Sequence, residues 1–171
     1  MLDIVRVPSP GLSEVSRAVA VFDETIQDLA TQMIEIMYQS PGCVGLAANQ
    51  VGRDESLFVL DVSRHKKTTS HHGLLVVVNP TVVNREGQLT MREGCMSVPD
   101  LTGDVTRAAS LTLVGCDLAG KTFEIESSGF EARAIQHEVD HLGGYLFIDR
   151  VSGSSKLHSR KRYLYEVTQG K

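Results

Sequence analysis

Residues 136–142, QHEVDHL, decide how this chain is interpreted. They end a segment of helical periodicity and two glycines follow them, so the pattern predicts a helix over residues 130–142. Residues four apart on a helix lie one turn from each other on the same face, which allows His137 and His141 to bind one cation. Glu138 then lies beside that cation as a general base toward water, which is the chemistry of an HExxH motif.

Two histidines leave a catalytic metal site incomplete, because such a site normally has three protein ligands and an open position. Downstream, His158 and Glu166 lack surroundings typical of a ligand. Upstream, residues 93–99, EGCMSVP, set Cys95 beside a glycine that permits close backbone approach. The alternatives are a buried, inert thiol for Cys95 and a chance HExxH helix with two surface histidines. Because both features occur in one chain, the inert-thiol interpretation of Cys95 is weakened, and Cys95 is a candidate third ligand.

Two further helices are predicted on either side of the central one. Residues 23–39 carry apolar side chains at helical spacing, and Asp23 belongs to the residue types favoured at the N-cap. Residues 154–167 predict a short C-terminal helix. We therefore expect the HExxH helix to be preceded by an N-terminal helix and followed by a short C-terminal helix.

Short aliphatic, β-branched segments predict the strands. Residues 57–62 and 74–78 are of this kind, and residues 111–114 and 122–125 flank a turn, which indicates a hairpin. The polar residues 64–73 predict a loop. Since strands dominate the middle without strict alternation with helices, we expect an α+β fold, with antiparallel sheets packed around the HExxH helix.

Length and composition indicate a single globular catalytic domain over residues 1–171, with 42% apolar and 22% charged residues. The formal charge of −4 argues against a dedicated DNA-binding or other nucleic-acid-binding protein. Neither a membrane-spanning segment nor a secretory signal is evident, so we expect a cytoplasmic protein with no membrane partner. Three cysteines argue against a disulfide framework.

Three ordered motifs resemble those of the peptide deformylase family. They are residues 45–50 (GLAANQ), residues 93–97 (EGCMS) and residues 136–142 (QHEVDHL). The resemblance spans nearly the whole chain. It implies the deformylase fold and the removal of the formyl group from the N-terminal formyl-methionine of nascent peptides.

The resemblance also implies a role for each motif. Cys95 becomes the third metal ligand, and Glu138 takes a proton from water and later passes it to the leaving amine. The Gln50 side-chain amide and the Met96 backbone N–H stabilise the developing oxyanion. The cofactor is one divalent ion. Cysteine and histidine ligands suit Zn²⁺, Fe²⁺, Ni²⁺ or Co²⁺, and the resemblance implies Fe²⁺ in the cell.

The predicted methionine pocket combines helix residues with residues of the upstream motifs. Its members are Val44, Met91, Phe130, Arg133 and Ala134. The helical members precede His137 by seven, four and three positions and lie on its side of the helix. Core packing is the alternative for Phe130 and Ala134, and Arg133 is expected to extend toward solvent at the rim.

Backbone contacts follow from the resemblance as well. The peptide is expected to add as an extra strand along Val44 and Gly45, with a further contact at Gly94. Arg107 is expected to pair with Asp140 and hold the helix.

Two positions depart from the family motifs. The first motif usually opens with glycine, and Cys43 stands there instead. Its side chain could narrow the pocket or supply an oxidisable thiol, and the simpler interpretation is a small residue tolerated at a tight turn. Met96 replaces the usual leucine, a mild change.

Two other functions fit parts of the pattern. A metallopeptidase would use the same HExxH helix but a third ligand downstream of His141. A non-catalytic metal-binding relative would be expected to lack Glu138 or Gln50, and the chain has both.

A basic C-terminal segment spans residues 156–162 and contains Lys156, Arg160, Lys161 and Arg162. A solvated charged face is its simplest interpretation. The alternative is contact with ribosomal RNA, through attraction to phosphate.

Overall fold

The structure is a computed structural model that describes residues 2–160. Its first long element is an α-helix, α1 (Glu24–Gln39). The Asp23 carboxylate accepts hydrogen bonds from the backbone N–H groups of Thr25 and Ile26, at 3.0 and 3.4 Å, and so caps the helix. The face carrying Leu29 and Met33 is fully buried. The predicted N-terminal helix and its cap are therefore confirmed.

Eight strands form two antiparallel sheets. The larger sheet has the order β1-β2-β3-β6-β7 and consists of β1 (Gly45–Ala47), β2 (Leu57–Leu60), β3 (Leu75–Glu86), β6 (Ser110–Cys116) and β7 (Thr122–Ser128). The smaller sheet has the order β4-β5-β8 and consists of β4 (Leu89–Cys95), β5 (Val98–Arg107) and β8 (Leu157–Ser159). Strands β1 and β4 each lie at an edge, which leaves one side of each backbone available for pairing.

The second α-helix, α2 (Gly129–Leu142), carries the HExxH motif. Ala132 and Ile135 are fully buried and pack in one apolar cluster with Phe58 of β2 and Leu113 of β6. The chain leaves the helix at Gly144, whose φ of +79° suits glycine and whose missing Cβ makes room for the Ser13 carbonyl. The α+β prediction, with sheets around this helix, is confirmed.

The hairpin β6–β7 and the start of β3 also agree with the sequence prediction. Residues 61–74 contain no helix or strand, as expected of the polar loop. Strands β4 and β5 were not predicted. The inward side of β4 carries Leu89, Met91, Glu93 and Cys95, so a charged residue interrupts its apolar pattern. In β5 the buried positions include Gly103 and Arg107, which breaks the apolar alternation there as well.

The predicted C-terminal helix is wrong where the structure describes it. Residues Ser154–Lys156 form one 3₁₀ turn, and Leu157–Ser159 pair as β8 with Leu101–Gly103 of β5. Hydrogen bonding to the open edge of β5 outweighs the local helical pattern there. The rest of that prediction lies outside the described residues, as do Lys161 and Arg162.

No helix within residues 2–160 has the length and apolar character needed to cross a membrane.

Candidate metal centre

The three predicted ligands come together between β4 and α2. Cys95 is the last residue of β4, and His137 and His141 lie one turn apart on α2. Cys95 Sγ lies 3.3 Å from His141 Nε2, which lies 3.2 Å from His137 Nε2. Candidate ligand atoms of all three residues lie within 4.8 Å of one another. Strand and helix thus bring together residues that are 42 or more positions apart in sequence.

The protonation pattern of this cluster fits a cation. His137 Nδ1 lies 3.0 Å from the Glu93 carboxylate, which accepts its proton, so Nε2 is the nitrogen that faces Cys95 and His141 and that can bind a cation once its own proton is released. Without a bound ion, burial lowers the pKa of His141 well below its usual value, and the charge on His137 lowers it further. A neutral imidazole beside a thiol and a second imidazole is a suitable donor set for Zn²⁺ or Fe²⁺.

Glu93 holds His137 in place and was missed as a functional residue. Its carboxylate also accepts from Arg107 Nε at 2.6 Å and from Arg133 Nη2 at 2.7 Å. Burial would raise the pKa of Glu93, but the hydrogen bonds from His137 and Arg107 outweigh it and lower the pKa to about 2. Glu93 therefore stays ionised. Strand alternation was an available signal, because Glu93 and Cys95 are two residues apart and share one face of β4.

Arg107 links this carboxylate to the helix. Its Nη1 donates to Asp140 Oδ2 at 2.8 Å, so the predicted Arg107–Asp140 pair is present. Arg150 donates to the same carboxylate at 2.7 Å. Burial opposes the charge on Asp140, but the bonds from Arg150 and Arg107 lower its pKa below the usual value. Two arginines thus anchor the acidic residue next to His141.

Glu138 lies beside the ligands and is almost fully buried, with 3% of its surface exposed. Burial raises the pKa of its carboxyl to about 7 when no ion is bound. The side chain packs against the backbone of β1 at Gly45, where any Cβ would overlap it. Among the described residues, no group hydrogen-bonds to its Oε2 atom. A buried carboxyl poised near neutrality can accept a proton and return it.

Gln50 turns its amide nitrogen toward the cluster. Its Oε1 atom accepts from the Ala47 backbone N–H at 3.0 Å, which fixes the amide orientation. Its Nε2 atom donates to Cys95 Sγ at 3.3 Å and to Ser97 Oγ at 3.1 Å. Met96 follows Cys95 in the turn between β4 and β5, and both Gln50 and Met96 line the same cavity.

The cavity above the cluster measures about 350 Å³. One wall is the segment before β1, with Val44 and Gly45, and the facing wall is the end of β4, with Gly94. Helix α2 contributes Phe130 and Ala134. The polar loop contributes a wall that the sequence did not indicate. It comprises His65, which stacks on Phe130 with ring centroids 4.1 Å apart, and Lys67.

Known proteins match this chain over most of its length. The polypeptide deformylase family model matches residues 1–157. The chain belongs to the polypeptide deformylase family. Peptide deformylases of Syntrophobacter fumaroxidans and Nitrosococcus oceani are 45% and 41% identical to it, over 89% and 95% of this chain and 87% and 93% of theirs. A crystal structure of a peptide deformylase from Legionella pneumophila, 39% identical, matches with a TM-score of 0.80, over 89% of this chain and 86% of that one.

The prediction of a deformylase-type enzyme from three motifs is thereby confirmed. Family membership does not assign the individual residues, and one pocket prediction for this deformylase needs correction. Arg133 does not extend to solvent, since 3% of its side chain is exposed and its guanidinium donates to Glu93 and to the carbonyls of Leu89, Met91 and Val105. The Glu93 carboxylate and these carbonyl oxygens accept the hydrogen bonds of the guanidinium and pair its charge, which allows the side chain to be buried. Met91 is not among the described residues that line the cavity, and its role in the methionine pocket stays a prediction.

Cys43, the departure from the deformylase motif, lines the cavity beside β1. Its thiol donates to the Gly45 carbonyl oxygen at 3.1 Å. Burial raises the pKa of this thiol to about 12, and the carboxyl of Glu138 adds to the effect. Thiolate is the reactive form of cysteine. The side chain therefore lines the cavity as a protonated group.

Proposed function

We propose that this deformylase removes the formyl group from the N-terminal formyl-methionine of newly made polypeptides. The observation that carries the proposal is the convergence of the Cys95, His137 and His141 ligand atoms with Glu138 and Gln50 at one end of the cavity. Hydrolysis of an amide needs a water-activating group, a proton carrier and an oxyanion donor, and this arrangement offers candidates for each.

The donor set supports one divalent metal ion held by Cys95, His137 and His141. Such a ligand set suits Fe²⁺, Zn²⁺, Ni²⁺ and Co²⁺, and the family resemblance favours Fe²⁺ in the cell. When bound, the ion polarises the formyl oxygen and lowers the pKa of water toward roughly 7. Glu93 supports the site by fixing the tautomer of His137.

Glu138 moves the proton. Its carboxylate accepts a proton from the water that attacks the formyl carbon and delivers it to the methionine nitrogen as the C–N bond breaks. Formic acid and a free amine form, and the proton of the acid passes to solvent or to the amine, which leaves formate. The same group serves as base and acid, which its burial beside Gly45 supports.

Gln50 and Met96 stabilise the charge that develops on the formyl oxygen. The Gln50 amide is fixed before substrate arrives, because Ala47 and Ser97 bond its two ends. The Met96 backbone N–H follows the ligand Cys95 directly. Donors that are already oriented cost little reorganisation during the reaction, and each can contribute about 10²-fold to the rate.

The peptide binds between the two edge strands. Its backbone pairs with the free edge at Val44 and Gly45, and Gly94 of β4 adds a contact from the opposite wall. The methionine side chain enters the space beside Phe130, Ala134 and the stem of Arg133. The basic C-terminal segment provides a further partner surface, for ribosomal RNA, of which Lys156 and Arg160 lie within the described residues.

The test is amine release from a formyl-Met peptide by protein purified anaerobically with Fe²⁺. We expect release by the parent protein and a loss of 10²-fold or more in kcat for Glu138→Gln, with the metal content retained. An acetyl-Met peptide and an internal-cleavage substrate are the controls. Absence of amine release by the metal-loaded parent, or cleavage of internal bonds in its place, would overturn the proposal.

A further inference from the structure

The mouth of the cavity is positively charged, although the chain carries a formal net charge of −4. The described lining residues include three cations, Lys67, Arg92 and Arg160, apart from the buried Arg133. The acidic lining residues are Glu93 and Glu138, which are buried within the centre. The accessible charge at this opening is therefore opposite in sign to that of the whole protein.

Arg92 and Arg160 stand on the wall formed by β4. Arg92 and Gly94 are two residues apart on the exposed face of the strand. Arg160 follows β8, and its guanidinium occupies the space that a Cβ on residue 94 would take. Its Nη1 atom lies 3.5 Å from the Pro99 carbonyl oxygen. The glycine thus lets a cation lie directly against the strand that ends in the ligand Cys95.

Lys67 faces them from the polar loop, and the loop is tethered. His65 stacks on Phe130, and His72 Nδ1 lies 2.8 Å from the buried Glu131 carboxylate. These contacts hold the loop on both sides of Lys67 against the first turn of α2. The loop backbone is therefore held at the cavity mouth, and it presents the exposed Lys67 side chain there.

The three cations differ in how they are neutralised. Arg92 pairs with Asp104 at 3.3 Å. Among residues 2–160, no carboxylate lies within 4.0 Å of the charged group of Lys67 or Arg160. Two cations at the opening thus have capacity for an additional acidic partner.

We propose that this mouth selects formyl-methionyl peptides with an acidic side chain at the second or third residue. The inference rests on the proposed function, which places the formyl group at the metal cluster. Strand residues are about 3.3 Å apart, so Gly94 lies one residue and Arg92 three residues from the ligand Cys95. An extended peptide that leaves the cluster along β4 therefore brings its second and third residues beside these cations.

Four formyl peptides with amidated C-termini test the proposal. Amidation removes the terminal carboxylate, which would otherwise be a second source of negative charge near the cations. They are Met-Ala-Ala, Met-Asp-Ala, Met-Ala-Asp and Met-Ala-Lys. At low salt, we expect kcat/KM for an aspartyl peptide to exceed that for the alanyl peptide by about two- to fivefold, as exposed ion pairs allow. The lysyl peptide should have a lower kcat/KM than the alanyl peptide, and 0.5 M salt should abolish these differences in kcat/KM.

Variants separate the local charge from the overall charge. The Lys67→Gln/Arg160→Gln double variant should lose the aspartyl preference, and Arg160→Lys should retain it. Lys66→Gln is the matched control, since it makes the same charge change on the same loop at a residue outside the cavity lining. It should leave the preference unchanged.

Equal kcat/KM for aspartyl and alanyl peptides, or a preference that survives in the double variant, would overturn the inference. Absence of activity on every formyl peptide would overturn the proposed function instead.

Discussion

The two sides of the cavity handle charge in opposite ways. On the β4–α2 side, Glu93, Arg107 and Asp140 form a buried network in which every charge has a partner of opposite sign. On the loop side, Lys67 and His65 stand at the opening, and the loop is held by one ring stack and one histidine–carboxylate pair. The buried network holds His137 of the candidate metal cluster in place, whereas the loop shapes the entrance. Changes within the buried network should therefore affect folding and metal content, and changes at the opening, on the loop or at Arg160, should affect substrate use.

Removing the Glu93 carboxylate should give the largest effect. Glu93→Gln leaves two buried guanidinium groups without their shared acid, and we expect the free energy of unfolding to fall by about 3–5 kcal/mol. His137 Nδ1 also exchanges a charged carboxylate acceptor for at most a neutral amide oxygen, so metal affinity should fall by about 10- to 100-fold. Urea unfolding and metal titration measure the two effects.

Glu86→Gln is the control for that prediction, because this exposed glutamate at the end of β3 undergoes the same chemical change. We expect a change within about 0.5 kcal/mol for it. A Glu93→Gln protein as stable as the control, with its metal retained, would show that the network is dispensable.

Arg107→Ala should have a smaller effect than Glu93→Gln, because each acid keeps a second arginine. Arg133 still bonds Glu93, and Arg150 still bonds Asp140. We expect a loss of about 2 kcal/mol in the free energy of unfolding, typical of a hydrogen bond to a charged group. Metal content should fall by less than in Glu93→Gln.

The Arg107→Ala result can be checked against Arg92→Ala, which removes an exposed arginine of the neighbouring strand whose partner is Asp104. That change should alter stability by no more than about 1 kcal/mol. If Arg107→Ala leaves both stability and metal content unchanged, the Arg107–Asp140 contact does not hold the helix.

Local sequence signals predicted the elements that rest on short-range periodicity. The α2 helix, its two histidines and the Asp23 cap all follow from residues within one or two turns of one another. The grouping of Cys95 with these histidines was predicted from the order of the three family motifs. Local sequence does not show which strand end faces a helix 42 residues later.

Long-range pairing explains the failures. Residues 157–159 form a strand because β5 offers an open edge, which no local pattern reports. Arg133 is buried because Glu93 and three backbone carbonyls surround its guanidinium, and that surrounding exists only after β4 has packed on α2. His65 gave no signal at all, because its role depends on where the loop returns to the helix.

His65 should show the smallest of the three effects and the one most confined to substrate binding. Its ring covers Phe130 at the proposed methionine pocket, and a stacked aromatic pair contributes about 0.5–1.5 kcal/mol. His65→Ala should therefore raise KM for a formyl-Met peptide by about two- to tenfold, while metal content stays at the parent value. His71→Ala is the matched control, an exposed histidine of the same loop outside the cavity lining. Steady-state kinetics on both variants decide the point. A parental KM in His65→Ala would show that the loop does not shape the pocket, and a loss of metal would show that the two sides of the cavity are coupled.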